Sequence, residues 1–547
     1  MINLGRALRL RRWGAVVIVA GIVAASCSSN SDVAEVESNN GPDVTAVPDS
    51  TPASSSVDGS TPIIAPDPNG LPSITEPDPA IVIGELDNGL RFLIRDNDNP
   101  GGRVDMRLVV DAGSALEDDT QTGGAHYLEH KLFKGAEQFH ENDLIDVLRS
   151  FGAAFGADIN AYTTYDETVY ELTMPTADDN VVETGLDVLQ QWLSAATIDQ
   201  AQVEAERGVV LDEWRGSEAS SDGRIFDGLE ELFLAESPYD GRDPIGSDAA
   251  INAMNVEPLR AFYDDWYRPD NAAVVVVGDV DPAVIEQGLI DRFGPLTARG
   301  ASPERPELLV QPSTQPKVVV VSDPDVAEGF AQVTLPAAPI DDLSPEAALQ
   351  VSILDAMAFD IIATRLGNDA LRGDAAFDDA RVDSSGFVRG LDAPEIVVSA
   401  DGDALEASTQ AVFDEYERVR RFGFTPAEVD RAVSSIRTSI DTFYDGRDSR
   451  QDADFAEEYV RHVLIDEPVP TADDNYDIVN AILDRATPET VAYGFVNRLA
   501  DTGAHVMVVV PENEADALPS EDAWLAQASN MRDRVLEPRP EVAAIDG

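Results

Sequence analysis

Residues 126–130 read His-Tyr-Leu-Glu-His, and this H-x-x-E-H spacing decides how the rest of the chain is read. The chain has only five histidines in 547 residues, so two of them framing a glutamate is an unusual concentration. On a helix, positions i, i+3 and i+4 share one face. Both imidazoles can then converge on one metal ion, with Glu129 beside a water activated there. The plain alternative is an amphipathic helix with two solvated histidines.

Two histidines need a third protein ligand. Zinc accepts imidazole nitrogen and carboxylate oxygen in tetrahedral sites, and a catalytic site keeps one position for water. The single cysteine, Cys27, excludes a cysteine-rich zinc site and any intrachain disulfide. Downstream, residues 203–214 read VEAERGVVLDEW, where Glu206 and Glu213 are two helical turns apart and can face the first helix together. Spacing alone does not choose between them, because acids are everywhere in this chain.

Around the motif the hydrophobic pattern gives two halves of similar plan. In the first, 86–95 and 103–112 read as paired strands with a turn at 97–102, and a helix enters the motif after Gly123-Gly124. A helix at 141–151, strands at 157–164 and 167–174, and helices at 180–195, 200–219 and 223–234 follow. A helix at 257–267, a buried strand at 272–277 and a helix at 282–293 close this half. Residues 296–315 hold several prolines and read as an inter-domain linker. The second half offers strands at 317–322, 331–335, 395–400 and 505–510. Its helices fit 345–366, 405–422, 426–444, 452–464, 474–483 and 488–499, and no second H-x-x-E-H occurs in it. Each half interleaves strands with helices, an α+β pattern.

Four segments carry a resemblance: QTGGAHYLEHKLFKGA (121–136), FGADINAYTTYDETVYELTMP (155–175), AERGVVLDEWR (205–215) and FYDDWYRPDNAAVVVVGDVD (262–281). Together they resemble the pitrilysin and insulysin family of inverzincin zinc metallopeptidases, and most closely the N-terminal half of its long bacterial members. The mitochondrial processing peptidase subunits are similar too. With the second half the resemblance spans nearly all of residues 80–510. It implies two homologous metallopeptidase-type domains, each a mainly antiparallel sheet packed with helices. The first, at 79–295, is catalytic; the second, at 316–515, is not, and a tail follows at 516–547.

The resemblance also implies roles. His126, His130 and Glu213 are expected as ligands of one Zn2+ per chain, and Glu129 as general base. Glu206 takes the place of the acid that supports a ligand histidine. Asn160 and Ala161 fall where the family's edge strand pairs with substrate backbone. The implied activity is hydrolysis of peptides or unfolded polypeptide segments; the competing reading is a non-catalytic scaffold or assembly subunit of the same fold. In the family the chamber is built from four such domains, and the far half supplies an arginine and a tyrosine that grip the substrate. No segment here matches that pair. Arg381, Arg389, Tyr444 and Tyr459 are available, and the sequence assigns none of them. A second two-domain subunit, or a second copy of this chain, is therefore expected as partner.

The N-terminus points out of the cytoplasm. Arg6, Arg9, Arg11 and Arg12 precede an apolar run that ends Val23-Ala24-Ala25-Ser26-Cys27. That is the layout of a secretory signal peptide, too short for a comfortable span. Residues 1–26 are read as a lipoprotein signal peptide and Cys27 as the lipidated residue, giving a membrane-anchored protein of the cell envelope. Residues 27–78, rich in Ser, Pro and Asp, read as a disordered tether. The chain carries 102 acidic against 38 basic residues, a formal charge of −64. This excludes a nucleic-acid partner, which needs a basic footprint. It fits a strongly hydrated surface, or a negative chamber that attracts basic peptides.

Overall fold

The computed structural model describes residues 64–539 except 141–142, 178, 338–342, 385 and 500–502. The expected signal peptide, Cys27, most of the tether and the end of the tail lie outside the described residues.

The first domain has strands β1 (Ile81–Glu85), β2 (Arg91–Asp96), β3 (Arg103–Val110), β4 (Ile159–Thr163), β5 (Thr168–Pro175) and β6 (Ala272–Gly278). Its helices are α1 (Gly124–Leu132), α2 (Asp143–Ser150), α3 (Asp179–Ser194), α4 (Gln200–Glu218), α5 (Ser221–Phe233), α6 (Asp248–Ala253), α7 (Val256–Trp266) and α8 (Pro282–Phe293). The second domain has strands β7 (Lys317–Asp323), β8 (Phe330–Thr334), β9 (Asp379–Ser384), β10 (Pro394–Ser399) and β11 (His505–Pro511). Its helices are α9 (Pro345–Arg372), α10 (Leu405–Phe422), α11 (Pro426–Asp445), α12 (Asp452–Ile465), α13 (Ala472–Leu483), α14 (Pro488–Leu499) and α15 (Glu521–Ser529).

The first sheet runs β1-β2-β6-β3-β5-β4 and the second β7-β11-β8-β10-β9. Setting β1 aside, both follow one rule: the last strand in sequence inserts beside the first, parallel to it, and the remaining neighbours are antiparallel. The two domains are thus topological copies. This corrects one expectation, because β2 and β3 do not pair with each other. Strand β6, AAVVVVG, is buried throughout and lies between them, Leu93 opposite Val275 on one side and Arg107 opposite Val275 on the other. An uninterrupted apolar strand gains most at the centre of a sheet covered on both faces.

Each sheet receives its second cover from the other domain. Phe455, Tyr459, Val460 and Val463 of α12 pack on Leu93, Val109 and Val275 of the first sheet. Leu232 and Phe233 of α5 pack with Met507 and Val509 of the second. Each such side chain stabilises by roughly 1.5–3 kcal/mol when fully buried, so the helices bind the domains together. Residues 296–315 contain no helix or strand.

The folded body extends past two expected boundaries. Residues 64–78, assigned to the tether, lie on the second domain: Ile74 is buried in its core, Ser73 bonds Glu346 at 3.1 Å, and Arg485 holds the carbonyls of Asn69 and Gly70. A few apolar residues inside a polar run suffice to dock it. The expected tail likewise contributes α15, whose Trp524 is buried in the second core, and Arg539 pairs with Asp369 and Glu415.

Candidate active site

Helix α1 starts at a fixed point. Gly123 sits at φ 77°, a left-handed conformation, and an added Cβ would lie 2.9 Å from the carbonyl oxygen of Ile245. The amides of Gly123 and Ala125 donate to the two carboxylate oxygens of Glu117, each at 2.8 Å. The first turn is thereby satisfied without a side-chain cap on α1 itself. Helix α4 packs across it: Asp199 caps its start by accepting from Gln202 at 3.0 Å, and Arg207 anchors it to the carbonyls of Asn252 and Met254.

On α1, His126, Glu129 and His130 present ligand atoms within 4.8 Å of one another. Glu206 and Glu213 reach them from α4. Glu206 Oε1 lies 3.1 Å from His130 Nδ1, and its Oε2 lies 3.2 Å from Lys134 Nζ. Glu213 lies 3.1 Å from His130 Nε2 and 4.0 Å from His126 Nε2. The sequence expectation that both acids face the first helix therefore holds as placement, with Glu206 behind His130 and Glu213 between the outer nitrogens.

Their electrostatics separate them. Burial, aided by the neighbouring His130, pushes His126 down to about 4, so it stays a neutral imidazole. Burial also acts to lower His130, but hydrogen bonds to Glu206 and Glu213 outweigh it and hold it up at about 10. Glu129 is pushed up to about 7 by burial, against the opposing pull of His130 and Thr163. For Glu206 and Glu213 burial raises the carboxyl, but the His130 bond prevails and both lie below the usual range.

The donor set fits zinc. His126 is 3% exposed, and among the described residues neither ring nitrogen has a hydrogen-bond partner. A buried imidazole left this way forfeits a hydrogen bond on each side unless an ion takes one of them. Glu206 at Nδ1 leaves His130 Nε2 as the coordinating atom. Neighbouring ligands of a tetrahedral zinc with N and O donors stand about 3.3 Å apart, close to the 3.1 Å between Glu213 and His130.

Asn160 and Ala161 lie on β4, opposite Glu171 and Tyr170 of β5. Strand β4 ends the sheet, so among the described residues its far backbone edge has no neighbouring strand. The same strand ends in Thr163, whose hydroxyl donates to Glu129 Oε2 at 2.7 Å. Sequence reasoning missed Thr163 and Glu117. A strand-end threonine and one acid among many carry no spacing signal.

The residues left unassigned for substrate gripping are mostly engaged elsewhere. Tyr459 packs between the domains with its hydroxyl 3.2 Å from Arg95, Tyr444 donates to Asp473, and Arg389 pairs with Asp111 and Glu167. Arg381 lies on β9, opposite Val397.

The insulinase (peptidase family M16) model matches residues 93–240, and the peptidase M16 inactive-domain model matches 253–436. The probable zinc protease PqqL of Escherichia coli (strain K12) is 27% identical over 426 residues, covering 76% of this chain and 44% of that protein. A zinc protease PQQL-like protein of Arabidopsis thaliana is 30% identical over 391 residues, covering 71% and 37%. The crystal structure of the first half of the periplasmic protease PqqL from Escherichia coli superposes with a TM-score of 0.77 at 25% identity. It covers 86% of this chain and 100% of that one. The chain thus spans less than half the length of these two curated relatives. With its H-x-x-E-H helix in a first domain and a topological copy of that domain behind it, the chain belongs to the peptidase M16 (insulinase) family.

Proposed function

We propose that this protein is a zinc metallopeptidase that hydrolyses peptides or unfolded polypeptide segments. The observation that carries this reading is the convergence of His126, His130 and Glu213 around one point, with the buried Glu129 beside it. His126, His130 and Glu213 hold the zinc. When bound, the ion acts as a Lewis acid on the scissile carbonyl and lowers the pKa of water toward about 7.

The chain's own groups do the rest. Thr163 holds Oε2 of Glu129, leaving Oε1 to take a proton from the attacking water and pass it to the leaving nitrogen. Burial raises the Glu129 carboxyl, which suits a group that takes a proton and then gives it up. Glu206 accepts from His130 Nδ1, fixing the ring so that Nε2 faces inward. The open edge of β4, through Asn160 and Ala161, lines the substrate backbone up beside Glu129 as an added strand.

The periplasmic relative supports an extracytoplasmic place for this protein, and the small residues before Cys27 support that cysteine as a lipid anchor. The facing half of the chamber comes from a second two-domain chain or a second copy of this one. Glu129→Gln tests the chemistry. It is nearly isosteric and cannot accept the proton, so it should retain zinc while hydrolysis of a quenched peptide falls about 10²- to 10⁴-fold. A variant that cleaves at the wild-type rate would remove Glu129 from the mechanism.

A further inference from the structure

A loop of the second domain reaches the turn that follows Thr163. Arg389 places one guanidinium nitrogen 2.6 Å from Asp111 Oδ1 at the end of β3, and the other 2.8 Å from Glu167 Oε2 in the β4–β5 turn. Its backbone amide donates to Asp166 Oδ2 at 3.0 Å. Asp166 and Glu167 are 3% and 5% exposed. The Tyr239 hydroxyl donates to Asp166 Oδ1 at 2.8 Å and accepts from the Gly390 amide at 3.2 Å. The turn is tied internally as well, because Thr164 Oγ1 accepts from the amides of Asp166 and Glu167. One residue before it, Thr163 holds Glu129.

We propose that Arg389, from the domain without a metal motif, is a positioning residue that sets the place of Glu129 through the 164–167 turn and Thr163. The proposal rests on the reading of Glu129 as base. Glu167 is a buried carboxylate, and removing the guanidinium that ties it to Asp111 at the end of β3 takes a charge-assisted pair away from the turn. The turn then loses its charge-assisted tie to the second domain. Among the described residues strand β4 pairs with β5 alone, so Thr163 moves with the turn and the Glu129 carboxylate loses its fixed orientation. Arg305 stays on Asp111 but bonds no other carboxylate of this group. Displacing a reacting group by about 1 Å costs on the order of 10²-fold in rate. A lysine at 389 keeps the charge yet cannot bridge Asp111 and Glu167 as a planar fork does.

The test uses the full chain as wild type, Arg389→Ala, Arg389→Lys, Thr163→Val and the Arg389→Ala/Thr163→Val double variant. Amide exchange over residues 159–170, zinc content and peptide hydrolysis are measured on each. The expected result for Arg389→Ala is faster exchange at 163–168, kcat lower by about tenfold or more, KM nearly unchanged and zinc retained. Arg389→Lys should fall between it and wild type. Thr163→Val should lose kcat similarly, and the double variant should be little worse than either single, because both break one chain of contacts. Unchanged exchange at 163–168 in Arg389→Lys and Arg389→Ala, or losses that multiply in the double variant, would overturn the proposal. Should Arg389→Ala not fold, unchanged exchange in Arg389→Lys overturns it alone. A wild-type protein that cleaves no peptide refutes the Glu129 reading instead, and the exchange comparison still decides whether Arg389 holds the turn.

Discussion

His126 and His130 are one helical turn apart, yet their surroundings give them opposite character. His126 is buried with no hydrogen-bond partner for its ring among the described residues, while His130 is gripped by two glutamates. The sequence motif announced both residues and Glu129 but not this difference, which depends on what α4 brings to each ring. Glu206 is the residue through which the difference can be tested. Its carboxylate holds His130 Nδ1 and is itself braced by Lys134. Such supporting partners typically contribute about 10- to 100-fold to metal affinity. Glu206→Gln should therefore weaken zinc binding by that factor in a competition titration with a chromophoric chelator. Unchanged affinity would mean that Glu206 is a solvated acid that happens to lie nearby. Thr163, by contrast, was illegible in sequence, because its hydroxyl reaches Glu129 only through the pairing of β4 with β5.

At the scale of elements, the position of α1 depends on its first turn. Gly123 combines a left-handed φ with a close approach to Ile245. Gly123→Ala should destabilise the protein by roughly 1–3 kcal/mol from conformational cost and crowding, read as a lowered urea midpoint. A variant as stable as wild type would show that the helix start is not constrained. Most helices, and the strands other than β1 and β9, were legible from periodicity and from apolar runs such as AAVVVVG in β6. Strand order was not, because β6 reaches its place between β2 and β3 only after more than 150 residues of intervening chain, and local pattern carries no record of that pairing. Strand β9, DARVDS, was missed because it lies at a sheet edge and reads as polar loop.

At the scale of the molecule, the exchange of covering helices makes each domain depend on the other. A fragment ending at residue 315 lacks α12 and would expose Leu93, Val109 and Val275. It should fail to give a cooperative unfolding transition, and co-expression with residues 316–547 should restore one. A fragment that unfolds cooperatively by itself would show that the domains are merely adjacent. Acidity acts at this scale too. Burial, with Asp383 opposite it, pushes Glu395 up to about 7, so the folded state holds its proton more tightly than the unfolded chain. Its cost is absent below about pH 4.5 and grows as pH rises through 7. Glu395→Gln should leave the urea midpoint nearly unchanged at pH 5 and raise it relative to wild type at pH 8; an equal shift at both would contradict this. Size-exclusion chromatography with light scattering, run beside the peptide assay, tests the expected partner, since a strictly monomeric protein with full activity would show that one half suffices.

The central claim is that His126, His130 and Glu213 form one zinc centre, and elemental analysis of the purified full chain tests it most directly. Wild type should carry about one zinc per chain, and His130→Ala and Glu213→Ala, each confirmed folded by circular dichroism, should carry almost none. Stoichiometric zinc retained by folded His130→Ala, or a wild-type protein that takes up no zinc when it is supplied, would contradict the account.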